Sequence, residues 1–452
     1  MSQTFVLKKG LNIPIAGEAE LRVSKTIAPG IVAVQPTDFK GFLPRLLVKE
    51  GDSVLCGSPV AADKKNADIL LTSPVSGTVK EIVRGEKRKL LAILIESDGK
   101  RECADFGVRD AAKLDAGQVR QALLQSGLWP WLIQRPYGII ADPEIRPRDI
   151  FVSAFDSAPL APDAKFCFGS ELAAAQAGVC ALSKLTDGKV HVSVDDGASP
   201  FASLKQCEIH IFQGQHPAGN VGVQISHIAP ICKGDTVWTV SLAGLVAIGR
   251  LFTTGRVDLT RKVAVTGPMA LDCSYVEALP GTPMSELRSF WGNTQEDTLR
   301  IVSGNALSGK AVGAEGFLGF FDSQVTILHE GKEQELLGWI NPIRGHQFSA
   351  DRSYFSWLMP KSKKYAMDTN LHGGPRAFLM NDGYYGRVLP MDIYPVYLAK
   401  ACLAGDIEKM EKFGIYEVLP EDLATCEFVD PSKNNIQAMI EQGIDLMLKE
   451  MA

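Results

Sequence analysis

The 452-residue chain contains no C-x-x-C pair. Its nine cysteines are scattered, and the nearest two, Cys167 and Cys180, stand thirteen residues apart. A zinc ribbon, a thioredoxin motif or an iron–sulfur run needs closely spaced thiols, so none can be built from local spacing here. The cysteines read instead as buried thiols of a reducing compartment. A basic excess is missing too. There are 47 Lys and Arg against 52 Asp and Glu, a formal net charge of −5. Phosphate binding needs surplus positive charge, so a surface given over to nucleic acid is not expected. Long apolar runs are also lacking. The best, TVWTVSLAGLVAIG between Asp235 and Arg250, has fourteen residues, whereas a bilayer span takes about 20. The opening MSQTFVLKKGLNIPIAG has no apolar core of the kind a secretory signal carries. A soluble, cytoplasmic chain is expected, one that meets a membrane only through a partner or an interface.

Familiar catalytic signatures are absent as well. No strand-like run leads into G-x-G-x-x-G, and there is no G-x-S-x-G, H-E-x-x-H or kinase loop set. Gly304–Ala311 (GNALSGKA) misses a Walker A loop by one residue. The defect falls on the magnesium-binding hydroxyl, and Gly313, Gly316 and Gly319 break the helix that should follow. It reads as a glycine-rich loop, not a phosphate cradle.

What is present is ordinary globular material, 46% hydrophobic and 22% charged. At about 100–200 residues per domain, two to four domains are expected. Residues 1–105 read as short strands between turns, with Gly51–Asp52, Gly57–Ser58–Pro59 and Ser73–Pro74 as punctuation. LVKEGDSVLCGSPV (Leu47–Val60) and SPVSGTVKEI (Ser73–Ile82) form two turn-and-strand halves. They resemble the biotinyl/lipoyl carrier family, in which a lysine at the tip between the halves receives the cofactor. Lys64 and Lys65 stand near that tip, but the usual flank of the carrier lysine is absent. The fold is expected without the modification.

Residues 106–258 alternate strand and helix patterns, which predicts a mostly parallel, Rossmann-like α/β layer. Strands are expected at Asp149–Phe155, Lys165–Phe168, Lys189–Val194, Glu208–Phe212 and Thr236–Val240. A helix capped by Ser170 should carry ELAAAQAGVCALSKL, and Leu242–Thr253 should form another closed near Gly255. Residues 259–330 read as a β-grasp unit with strands at Lys262–Thr266, Tyr275–Ala278 and Leu299–Val302. Its helix is expected to be capped by Thr282 and to begin at Pro283. Residues 331–452 are mixed and then helical from Ile393, with apolar residues recurring at three and four. The expected class is thus an α/β multidomain chain with a helical C-terminal region.

Two places could carry chemistry. QGQHPAGN (Gln213–Asn220) is a glycine-rich loop after a strand, the position where α/β folds hold ligands. It nominates His216, Gly219 and Asn220 for a quinone or other ligand cleft. His191, His210 and His227 fit no helical metal pair and read as structural. Thr425–Lys433 (TCEFVDPSK) resembles the end of a cluster motif, but only Cys426 remains and Asp430 stands where a second Cys would be. A cubane needs four thiolates, so Cys426 reads as a relict and no metal is expected there.

Longer stretches carry a wider resemblance: KGLNIPIAG (Lys9–Gly17), SPVSGTVKEIVRGEKRKL (Ser73–Leu90), QHPAGNVG (Gln215–Gly222), VWTVSLAGLVAIGRLFTTGRVD (Val237–Asp258), LGWINP (Leu337–Pro342), PMDIYPVYLAKACLAGD (Pro390–Asp406) and EDLATCEFVDPSK (Glu421–Lys433). Together they resemble the A-subunit family of the sodium-translocating NADH:quinone oxidoreductases (Na+-NQR). That family is related in architecture to the complex I flavoprotein subunit with its SLBB-type β-grasp domain, and to the Rnf complex C subunit. The resemblance implies a peripheral subunit on the cytoplasmic face of the bacterial inner membrane. Its complex uses FAD, FMN, riboflavin and iron–sulfur centres, while this chain holds no flavin or cluster of its own. The implied partners are ubiquinone and the other subunits of the complex, especially one in the membrane. The implied role is in quinone reduction and assembly, coupled to sodium export. The alternatives are a non-catalytic interaction scaffold and an electron-transfer subunit of the Rnf type.

Overall fold

The computed structural model describes residues 3–292, 294–332, 344–350, 355–370 and 382–450. Leu337–Pro342 lies outside the described residues. Four sheets organise the rest. A four-stranded sheet (Ile31–Val34, Leu90–Ser97, Gly77–Arg84, Ser53–Val54) and a three-stranded one (Pro44–Leu46, Pro59–Asp63, Leu70–Thr72) enclose the first core. Val32, Val60, Ile93 and Ile95 are fully buried between them. Gly77–Arg84 and Pro44–Leu46 turn Lys80, Glu81, Arg84 and Arg45 outward, whereas Pro59–Asp63 is buried from Val60 to Asp63.

The second unit is a seven-stranded sheet. Its five parallel strands run in the order Gln3–Val6, Glu208–Gln213, Val190–Val194, Ile150–Ser153 and Val237–Ser241. Ile133–Arg135 and Ile139–Ile140 complete one edge in antiparallel sense. Continuous burial of Val190–Val194 fits a strand covered on both faces. Leu172–Leu182 and Leu242–Thr254 are its principal covering helices. They approach so closely that a Cβ on Gly249 would stand 1.7 Å from the Ala174 carbonyl oxygen. Ser241 caps the second helix at the Gly244 N–H, and Gly255 ends it at φ +70°. The run with the most membrane-like composition is therefore a buried strand and a thirteen-residue helix. No helix among the described residues is long and apolar enough to cross a membrane.

A six-stranded mixed sheet follows, in the order Lys310–Ala311, Leu299–Ser303, Gln324–His329, Arg261–Thr266, Ser274–Ala278 and Val23–Thr26. The helical end comprises Asp382–Val388, Pro395–Ala404, Ile407–Phe413, Ala424–Val429 and Ile436–Glu450. Its core includes Leu398, Met410, Ile440 and Ile444.

Several local expectations are corrected. The residues Lys165–Phe168 are helical, within Ala164–Phe168, because the Asp163 carboxylate accepts the Phe166 N–H at 2.7 Å and starts a turn. Ser170 caps nothing. It sits in a single 3-10 turn, Gly169–Glu171, before the helix opens at Leu172. Thr282 is buried, and its hydroxyl donates back to the Leu279 carbonyl at 2.8 Å. The following helix, Met284–Phe290, is 3-10 and capped at Pro283. The N-terminal extension is shared out: Gln3–Val6 joins the α/β sheet and Val23–Thr26 the six-stranded sheet.

Candidate functional site

The loop at the carboxyl end of Glu208–Gln213 carries His216, Gly219 and Asn220, as its sequence position required. Their side chains and backbone are held by internal bonds. The His216 N–H donates to Asn12 Oδ1 at 2.9 Å, and Ser157 Oγ lies 3.1 Å from the ring Nδ1. Ser157 Oγ also accepts the Gly219 N–H at 2.7 Å. A Cβ on Gly219 would stand 2.5 Å from the Ser157 nitrogen, so only glycine fits. Asn220 Nδ2 reaches across to the Glu421 carbonyl at 3.1 Å and to Asp422 Oδ1 at 3.3 Å. Burial lowers the His216 pKa, against the opposing pull of Asp156 and Asp422. The imidazole is thereby biased to its neutral form.

The same junction buries an ion pair. Arg135 Nη1 meets Asp422 Oδ2 and Nη2 meets Glu421 Oε1, each at 2.9 Å. Burial alone would lower the Arg135 pKa, but the two carboxylates outweigh it and the guanidinium stays charged. The loop thus works as a latch between the α/β unit and the helical end.

A second place was not signalled by sequence spacing. Where the first three units meet, a narrow cleft is lined by Val34, Asp38, Phe39, Leu71, Leu259 and Phe320, among others. Its centre is narrow, with room for about one water. Behind it lies an aromatic cluster: Phe39 and Trp131 each stand 4.7 Å from Phe320 and 5.4 Å from Phe321, between ring centroids. The Arg261 guanidinium sits 5.9 Å over the Trp131 ring. Its Nη2 donates to the carbonyls of Gly319, Phe320 and Asp322. Arg261 Nη1 and Trp131 Nε1 are buried donors with no hydrogen-bond partner. Burial pulls the Arg261 pKa down to about 10. Asp38 accepts the Phe320 N–H at 2.9 Å, and burial raises its pKa. At this width the cleft holds no ring, but apolar walls with a few polar groups are the kind of lining that ligand sites have, and the two unpartnered donors lie behind that wall. The only local cue was the pair Phe320–Phe321 beside glycines, and nothing in the order of residues joins position 39 to position 320.

Other nominated residues fall as follows. Lys64 and Lys65 are exposed at the tip between Pro59–Asp63 and Leu70–Thr72. Gly304–Ala311 is a turn between strands with no helix after it. Cys426 is buried in Ala424–Val429, and burial pushes its thiol up. It belongs to no group of three or more potential metal ligands among the described residues. Asp430 accepts from the Asn434 N–H and side-chain amide, both at 2.7 Å, turning the chain toward the last helix.

Two family models match the chain. The NqrA N-terminal barrel-sandwich hybrid domain matches residues 5–98, and the NqrA second alpha/beta domain residues 114–257. The A subunit of the Na(+)-translocating NADH-quinone reductase of Yersinia pestis bv. Antiqua (strain Angola) is 38% identical over 431 residues, covering 94% of this chain and 95% of the relative. The chain belongs to the NqrA family. The NqrA protein of Pasteurella multocida (strain Pm70) is 36% identical over 450 residues, covering 99% of this chain and all of the relative. That of Neisseria meningitidis serogroup C is 36% identical over 448 residues, covering 98% of this chain and 99% of the relative. An NAD+-reducing [NiFe]-hydrogenase structure in the air-oxidized state gives a TM-score of 0.37 at 12% identity, covering 73% of this chain and 64% of that one. The barrel-sandwich and α/β assignments of the NqrA models coincide with the first two units.

Proposed function

We propose that the chain is the peripheral, cytoplasmic-face subunit of a sodium-translocating NADH:ubiquinone reductase, and that the three-unit cleft receives the quinone headgroup. Membership of the NqrA family supports the complex and its other subunits as partners. The observation that carries the quinone reading is the pair of unpartnered buried donors, Arg261 Nη1 and Trp131 Nε1, within the aromatic cluster behind Phe320. A quinone carbonyl accepts hydrogen bonds and its ring stacks on aromatics. The cleft must widen to admit it. In this reading the chain carries no flavin or cluster of its own; against a cubane at Cys426 stands that it belongs to no group of three or more potential metal ligands among the described residues. An Rnf-type electron-transfer role would need a cluster site, and Cys426 offers none among the described residues. The six-stranded unit is read as the β-grasp of the related flavoprotein subunits. His216, Gly219 and Asn220 then serve the latch, and ligand binding lies elsewhere.

The test is Phe320→Ala in the assembled complex. The ubiquinone KM should rise with the subunit still incorporated. An unchanged KM in a fully assembled complex refutes the cleft. A second reading, a scaffold without ligand, is favoured by the narrowness of the cleft, and it predicts that only assembly suffers.

A further inference from the structure

At the other end of the same parallel strands, away from latch and cleft, two histidines and two carboxylates converge. Strand register creates the cluster. His191 lies beside Glu208, and His210 is two residues further along the same strand and so on the same face. His191 Nδ1 is 2.9 Å from His210 Nε2 and 3.6 Å from Glu208 Oε2. His191 Nε2 is 3.5 Å from Asp149 Oδ1. One ligand atom from each of His191, Glu208 and His210 lies within 4.8 Å of the others. This is the only such group of three or more found among the described residues. Both imidazoles are buried, and Phe151 stacks on His191 at 4.7 Å, which fixes the ring plane.

We infer that His191 Nδ1, His210 Nε2 and a carboxylate oxygen of Glu208 bind a divalent metal ion of the zinc class. Two imidazoles and one carboxylate match the ligand preference of such ions, and a fourth position is left for water. Two ring nitrogens that face each other can share one proton, whereas a metal engages both lone pairs after a small separation of the rings. Asp149 stands toward the far nitrogen of His191, the place of the carboxylate that orients a metal-bound histidine. Lys189 contacts Glu208 through Oε1, while Oε2 faces His191, so the two interactions use different oxygens. The bound ion ties neighbouring strands of the α/β sheet together and is independent of the quinone reading.

The test uses the full chain, stripped with a chelator and titrated with Zn²⁺ by calorimetry and with Co²⁺ by visible absorption. One ion per chain is expected. The cobalt spectrum should show d–d bands without a thiolate charge-transfer band, because no sulfur belongs to the set. Asp149→Asn should weaken zinc binding about 10–100-fold, and His210→Ala should abolish stoichiometric uptake. His210 is buried, so Glu208→Gln at the half-exposed ligand serves as the variant that keeps its fold, checked by circular dichroism. It should weaken binding at least about tenfold. No stoichiometric uptake by the parent chain, a thiolate band, or an unchanged affinity in folded Glu208→Gln would each overturn the site.

Discussion

Asp422→Ala is the most demanding test of how the helical end is attached. The Asp422 side chain is fully buried and that of Arg135 is 2% exposed. Asp422 Oδ2 accepts from Arg135 Nη1 at 2.9 Å and from the Leu419 N–H at 3.0 Å, while Oδ1 meets Asn220 at 3.3 Å. Gly222 packs so tightly here that its Cβ would stand 2.2 Å from Oδ2. Removing the carboxylate strands a buried guanidinium with only the half-exposed Glu421 opposite. Breaking a buried pair in this way costs about 3–5 kcal/mol, a large fraction of a domain's ~5–15 kcal/mol. A multidomain chain need not unfold in one step, so the readout is amide hydrogen exchange in Pro395–Ala404 and Ile436–Glu450. Exchange there should quicken by ~100-fold or more, since each 1.4 kcal/mol is tenfold. Arg135→Met combined with Asp422→Leu should recover part of the protection, because the buried Arg135–Asp422 charges go together, while the Leu419 N–H and Asn220 lose an acceptor and Glu421 its partner. A loss below about 1 kcal/mol in Asp422→Ala, the range of an exposed pair, would refute the latch.

Other expectations follow from single contacts. Gly249→Ala should destabilise the α/β unit by at least ~2 kcal/mol, because the new methyl meets the Ala174 carbonyl; urea unfolding checks it. Asp38 has a raised folded pKa, so the folded state binds its proton more tightly than the unfolded state. Stability contributed by this group should fall as pH rises from the ordinary carboxylate value through the raised one, then level off. Asp38→Asn should flatten that part of the profile, measured as urea midpoints across pH. Cys426→Ala should leave the iron content of the purified complex unchanged, since the thiol belongs to no group of three or more potential metal ligands among the described residues; a drop in iron would refute the relict reading.

The legible parts of the fold are those written in neighbouring residues. Gly255 ending a helix and the helical period of Ile436–Glu450 both act within a turn or two. Lys165–Phe168 failed because a run of four residues is too short to carry a period, and the Asp163 cap decided it. Thr282 failed because a buried hydroxyl took the nearest carbonyl instead of the helix start. Of the candidate sites, the loop at 213–220 could be placed by its strand, but its bonds to Asn12, Ser157 and Asp422 could not.

The sequence by itself determined the barrel-like beginning, the alternating middle and the helical end, because turn chemistry, caps and periodicity are local; the family followed from resemblance to NqrA sequences. Only the tertiary structure decided that Gln3–Val6 completes the α/β sheet, that Phe39 meets Phe320, and that His191 faces His210. Those contacts depend on strand register and on how separate units dock, and no spacing along the chain encodes either.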